Sequence, residues 1–364
     1  MEYNIKTKKL PKSEIELEVS LPAELLDSAR KKAIKNFCNS LEVDGFRKGF
    51  VPENIVIEKV GENRLLEEAV DLLLNEHFPK IVEQEKLDVI GHPKVSVTKL
   101  ALNNPVEFKV VLAVMPEITL PDYKKIAKDI IEKEKGKKEK FEATEKEVDD
   151  VLLQIRKNKA YFDWHKNHPD EKGHNHPDIK DEDLPKLDDN LAKEAGNFKN
   201  LAELKEKVKE NLIAEKKLRS KDKLRANIIE KLIEKSKMDL PEILVESEIQ
   251  KSLAQMKDDV ERVGMKWEEY LAHTKKIDSS AEALAKAEEE LKKDLKDNSE
   301  KKAKVQLIFN KIAETEKLKP NQEILDNEIK ELKKHYPEAS EENIRIFVIT
   351  TLLNQEVLKL LENQ

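Results

Sequence analysis

Aromatic residues are scarce in this sequence. Phe, Trp and Tyr together make up 5% of the 364 residues, and only eight glycines are present. So little ring surface and so few turn residues argue against a sheet-rich enzyme and for long amphipathic helices. There is a single cysteine, Cys38, which excludes an internal disulfide and fits a reducing compartment. It falls on the apolar side of a helix, where packing explains it better than reactivity. No Gly-rich phosphate-cradling loop followed by Lys and Ser or Thr occurs, so nucleotide use is not expected. No N-terminal apolar segment reads as a signal peptide, and the expected location is the cytoplasm. The most apolar run, Ile344 to Leu353, is too short and too polar to cross a bilayer. With no run able to cross one, a membrane is not an expected partner. A formal charge of -7 argues against a mainly nucleic-acid-binding protein, so DNA is not expected either, although a local basic patch can still exist.

Charge, by contrast, is abundant at 39%, and the length suffices for two or three domains. Ile15, Leu17 and Val19 alternate with Glu14, Glu16 and Glu18, which reads as a half-buried strand from Ser13 to Ser20. A helix follows from Pro22 to about Leu41, with Leu26, Ala29, Ala33 and Phe37 on one side. Its other side carries Arg30, Lys31, Lys32 and Lys35, a run that is ordinarily only a solvated face but here leads into Arg47 and Lys48, with which it could form a basic patch. Pro52 opens a second helical stretch, Gly61 interrupts it, and a longer helix continues to about Lys86. Lys94 to Leu100 and Val106 to Met115 read as strands joined by a turn at Asn103-Asn104-Pro105. Residues 1–118 are therefore expected to form an α+β domain with its helices on one sheet face. Beyond it, helical periodicity dominates. Thr144 and Glu147 form a capping-box pattern, Asn200 with Glu203 and Ser279 with Glu282 look like further caps, and Pro241 is expected at the first position of a helix. Gly264 stops that helix, and Trp267, Tyr270 and Leu271 form a short helical turn beyond it.

Between the first two helices lies Gly45-Phe46-Arg47-Lys48-Gly49-Phe50-Val51-Pro52. As residues alone they describe a shaped tip of aromatic and cationic side chains, types that dominate binding surfaces, or a connector with Phe46 and Phe50 packed inward. The pattern Gly45-Phe46-Arg47-x-Gly49-x-x-Pro52 resembles the ribosome-binding signature of bacterial trigger factor. Further resemblances follow in order: Ile90-Gly91-His92-Pro93, Leu120-Pro121-Asp122-Tyr123, Asp239-Leu240-Pro241-Glu242, Gly264-Met265-Lys266-Trp267 and Val305 to Ala313. In that family a prolyl-isomerase domain of the FK506-binding-protein type is usually inserted in the middle. Here residues 165–187 hold only a polar stretch with one glycine, too little apolar surface to build a proline pocket. The chain is thus expected to divide into an N-terminal domain, a connector over 119–164, this linker, and a helical domain over 188–364. His165, His168, His174 and His176 lie in or beside the linker. Their spacing matches no firm metal motif, and a solvated linker is preferred to a metal site.

The resemblance implies a chaperone needing no cofactor, whose partners are the ribosome, through exit-tunnel proteins and rRNA, and nascent or unfolded polypeptides. Gly45, Phe46, Arg47, Lys48, Gly49 and Pro52 carry the docking expectation. Candidates for client contact are Met238, Leu244, Leu253, Met256, Met265, Phe309, Ile312, Phe347 and Leu352, although ordinary helix core is the better reading for most of them taken singly. Alternatives are a prolyl isomerase, as in full-length members, or a ribosome-independent holdase. A weak homodimer of the free molecule stays open.

Overall fold

The computed structural model describes residues 3–44, 46–47, 49–101, 103–136, 141–167, 180, 184–278 and 280–364. The N-terminal part is a four-stranded antiparallel sheet of β1 (Asn4–Leu10), β2 (Glu14–Leu21), β3 (Val89–Lys99) and β4 (Val106–Val114), in the order β1-β2-β4-β3. The alternation in β2 sets its register. Ile15, Leu17, Val19 and Leu21 face Leu112, Val110, Phe108 and Val106, and all eight are buried. Over them lie α1 (Ala23–Ser40) and α3 (Glu62–Gln84), which add Leu26, Ala29, Ala33, Leu66, Ala69, Val70, Leu73 and Ile81 to one core. Each fully buried aliphatic side chain contributes about 1.5–3 kcal/mol relative to exposure. The short α2 (Glu53–Val60) ends at Gly61, where α3 begins.

Three local expectations change here. β1 was not foreseen: its sequence carries Lys6, Lys8 and Lys9, and it buries almost nothing because it is an edge strand. β3 starts at Val89 rather than Lys94, and its pairing shifts between Ile90 and Lys94, so Ile90-Gly91-His92-Pro93 lies inside the strand as an irregularity. Pro52 and Pro241 each stand one residue before their helices, with ψ of 143° and 136°. An extended ψ places them in the capping position, although proline's φ suits the first turn equally.

The chain falls into two compact units, each made of two segments. The first joins Met1–Pro121 to Lys235–Lys319, and the second joins Asp122–Glu234 to Pro320–Gln364. In the first unit, α8 (Glu242–Arg262), α9 (Trp267–Lys275) and α10 (Ala281–Thr315) form a long hairpin around Val245, Ile249, Leu253, Val260, Trp267 and Leu271. The short helical turn expected at Trp267 is the nine-residue α9, with Trp267 stacked on Tyr270 at 5.4 Å. Ser280, not Ser279, caps α10; Ser279 lies outside the described residues. The base of this hairpin meets the sheet. The Ser13 N–H donates to the Asp239 carboxylate at 3.0 Å, its hydroxyl donates to the Asp239 carbonyl at 2.6 Å, and Lys12 pairs with Glu242 at 3.0 Å. A Cβ on Gly91 would lie 1.9 Å from Ile243 Cδ1, so the hairpin's first turn approaches the strand as closely as only a glycine permits.

In the second unit, α5 (Glu145–Asn167), α6 (Asp189–Gly196) and α7 (Leu201–Lys235) surround Val148, Leu152, Ala192, Leu204 and Val208. Its remaining helices are α4 (Tyr123–Gly136), α11 (Gln322–His335) and α12 (Glu341–Glu362), with α11 and α12 meeting over Leu325, Ile344 and Val348. α4 packs on α12 and was not foreseen. The Thr144–Glu147 box forms: the Thr144 N–H and hydroxyl donate to the Glu147 carboxylate at 2.8 and 2.9 Å, and the Glu147 N–H donates back at 3.3 Å. Asn200 also caps α7, accepting from the Glu203 N–H at 2.9 Å.

Candidate functional site

The signature loop leaves α1 at Leu41, whose N–H still donates to the Phe37 carbonyl, and is fastened at its far end by buried Val51 and Val56. Between these anchors the described residues fold into turns. The Phe46 N–H donates to the Val43 carbonyl at 3.0 Å and the Phe50 N–H to the Arg47 carbonyl at 2.9 Å. Gly49 occupies the third position of the second turn with φ at +86°, a backbone angle that favours glycine. Pro52 then sets the direction of α2. Gly45 and Lys48 lie outside the described residues.

The inward-packing alternative does not hold. Phe46 is 40% exposed and Phe50 72% exposed, with the Arg47 guanidinium 5.9 Å from the Phe50 ring centroid. The sequence reading did not rank Phe50 among the docking residues, yet it is the more exposed aromatic of the two. The available signal was its position between Gly49 and Pro52, where no helical neighbour is at hand to cover it.

The expected basic patch is smaller than the sequence suggests. Arg30 reaches α3 and grips Glu62 with two bonds of 2.6 and 2.7 Å. This bidentate pair holds the Arg30 guanidinium above its usual pKa and the Glu62 carboxyl below its own. Lys32 pairs with Glu76 at 3.0 Å. Arg30 is thus drawn onto α3, whereas the Lys32–Glu76 pair stays solvated, and Lys31 and Lys35 on α1 and Arg47 at the tip are exposed. Arg64 lies 5.7 Å from the Phe37 ring, adding a cation near the base of the loop.

The client-contact candidates scatter over both units. Leu253, Phe309 and Ile312 are buried core residues, so their side chains present no free surface. Their helical spacing signalled burial, which periodicity alone cannot separate from an exposed apolar stripe. Met238, Leu244, Met256 and Leu352 are half-buried, with Met256 packed on the hairpin core and Leu352 on the α11–α12 core. Met265 is exposed at the hairpin's turn beside Val263, and Phe347 is exposed on α12 beside Ile346. The second unit also holds a cavity of about 260 Å³, lined by Val151, Ile155, Phe198, Leu204, Val208 and Leu212 among others, which the sequence did not single out.

His165 lies near the end of α5, with its ring edge-on to Trp164 at 5.1 Å. His168, His174 and His176 fall outside the described residues. Among the described residues no group of His, Cys, Asp and Glu is placed to hold a metal ion. Where description resumes, Arg156 of α5 donates to the carbonyls of Pro185 and Leu184 at 2.7 and 3.3 Å, and Leu184 is buried. Among the described residues no helix is long and apolar enough to cross a membrane.

Comparison with known proteins gives two family matches. The model described as "Bacterial trigger factor protein (TF)" matches residues 3–155, and that described as "Bacterial trigger factor protein (TF) C-terminus" matches residues 200–363. The chain belongs to the bacterial trigger factor family. The two matches leave only residues 156–199 between them, a middle as short as a variant without the inserted isomerase domain requires. Among curated relatives, the trigger factor of Natranaerobius thermophilus is 28% identical over 155 residues, covering 43% of this chain and 33% of its own length. That of Corynebacterium diphtheriae is 32% identical over 122 residues, covering 34% and 27%. These alignments span about a third of the relatives' own length. A solved structure of the trigger factor chaperone, described with its promiscuous substrate recognition in folding and assembly, matches with a TM-score of 0.51. It is 20% identical and the match covers all of both chains, a likeness of fold. A small N-terminal antiparallel sheet with helices followed by a helical C-terminal region is thus the family's architecture.

Proposed function

We propose that this trigger factor family member is a chaperone that docks at the ribosomal exit tunnel through the 45–52 loop and holds nascent chains without ATP. The observation that carries the reading is the exposed Phe46–Arg47–Phe50 tip, anchored by buried Val51 and Val56. Phe46 and Phe50 supply apolar area that gains from being covered. Arg47 offers a planar donor fork for phosphate or carboxylate, and Lys48 adds charge by sequence. Client holding draws on scattered exposed apolar side chains: Val263 and Met265 at the hairpin turn, Ile346 and Phe347 on α12. Adaptable surfaces of this kind suit weak binding to many sequences.

Replacing Phe46, Arg47 and Lys48 by Ala should abolish co-sedimentation with ribosomes while circular dichroism stays that of the parent. Unchanged co-sedimentation of the folded variant would remove the docking claim. Binding of the parent should weaken with salt, by roughly one decade in affinity per decade of salt for each phosphate neutralised. As a holdase the protein should suppress client aggregation near equimolar ratio. Acceleration of proline-limited refolding at substoichiometric concentration would instead favour an isomerase.

A further inference from the structure

The sheet has two edges, and they are finished differently. β1 carries Lys6, Lys8 and Lys9, and the end of α3 is tied to it: the Tyr3 N–H donates to Gln84 at 3.3 Å and the Thr7 hydroxyl to Glu85 at 3.0 Å. Lysines and a covering element are the ordinary ways to keep an edge from recruiting another strand. β3 pairs with β4 alone, and all six residues from Lys94 to Lys99 are exposed. At about 3.3 Å per residue this is a free edge of about 20 Å.

The side chains of that edge are amphipathic. Val95 and Val97 lie opposite Val110 and Phe108, on the core face, yet are 36% and 43% exposed. Core residues of β4 therefore continue into an uncovered apolar strip. Lys94, Ser96 and Lys99 lie opposite Val111, Lys109 and Glu107, on the outer face. Lys99 is 3.6 Å from Glu107, and Lys94 has no partner among the described residues.

We infer that the Lys94–Lys99 edge of β3 is a binding site for an extended segment of unfolded polypeptide, added as a fifth strand, in which apolar residues alternate with acidic ones. Main-chain hydrogen bonds supply sequence-independent affinity, and alternate side-chain positions supply the preference. Apolar residues of the added strand cover Val95 and Val97, and acidic residues meet Lys94 and Lys99. The same charges disfavour a second copy of this chain as occupant. An antiparallel β3–β3 pairing centred on Ser96 brings Lys94 of each copy close to the other copy's Lys99, and opposed like charges destabilise a strand pair. The proposal rests on the client-holding reading and names the kind of segment that reading requires.

The experiment uses the full chain and a fluorescent peptide alternating valine with glutamate. Hydrogen exchange of the 94–99 amides should slow when the peptide is added. A peptide with alternate backbone nitrogens methylated should lose binding, because it cannot extend the ladder. Val95→Lys/Val97→Lys should weaken the peptide about tenfold or more, since it leaves buried charges without partners. Lys94→Glu/Lys99→Glu, a surface change, should reverse the preference towards a peptide alternating valine with lysine. Equal binding of the methylated peptide, protection only elsewhere, or a concentration-dependent dimer protected at 94–99 without peptide would each overturn the proposal. Aggregation suppression of an unfolded client is measured alongside. Suppression intact with no slowing at 94–99 removes the edge site alone, whereas slowing at 94–99 with no suppression removes the chaperone reading and leaves the edge.

Discussion

His77 is 5% exposed, and the Tyr3 hydroxyl lies 2.9 Å from its Nδ1, tying the start of the sheet to α3. Burial pushes its imidazole below the usual pKa; Glu76 opposes this, while Lys80 and Lys32 reinforce it. Since the folded value lies below the unfolded one, the unfolded chain takes up the proton first as pH falls. The contribution of neutral His77 is therefore whole above about pH 6.5 and fades below it. The urea midpoint should fall between about pH 7.5 and 5.5, and less so in His77→Gln. A midpoint drop of equal size in both proteins would assign the effect elsewhere. At this scale the sequence was partly legible. Phe46 and Arg47 stood out by type and by the glycines around them, whereas Arg30 and Lys32 read as free charges because their acids, Glu62 and Glu76, are distant in sequence. Leu253, Phe309 and Ile312, taken singly, read better as helix core than as client surface, and all three are buried.

Helix ends were the most legible elements, because a cap is a contact between near neighbours. Glu147 accepts from Lys216 and from the Thr144 N–H and hydroxyl, which hold its carboxyl at about 2. Its folded value is depressed, so its contribution is complete above its usual range and is lost as pH falls from about 4.5 to about 2. Thr144→Ala should cost α5 about 1 kcal/mol by removing the cap, and Glu147→Gln should flatten the acid limb of the stability curve; chemical denaturation at several pH values reads both. Edge strands were the least legible. β1 lacks the alternation that betrayed β2, since it is exposed along nearly its whole length and no buried face demands an apolar residue at every second position. The need for glycine at position 91 was likewise hidden, because the side chain that crowds it, Ile243, arrives from far along the chain.

Periodicity marked where helices run but not which remote segment completes each unit, because complementarity between distant segments leaves no local period. The junction of sheet and hairpin can be tested directly. Gly91→Val places side-chain atoms where Ile243 now sits, at a φ of +70°, a strain of about 1–3 kcal/mol. Amide exchange should quicken at Ser13 and over 237–244 while the core under α1 and α3 stays protected; unchanged exchange at Ser13 would show that the hairpin base does not hold it. The main chain passes from one unit to the other three times, after Pro121, after Glu234 and after Lys319. A protease that nicks any one of these crossings therefore releases nothing: every segment stays seated in its own unit, and the remaining crossings keep the two units on one tether. Such a nicked molecule should run as two fragments on a denaturing gel and as a single intact species in gel filtration.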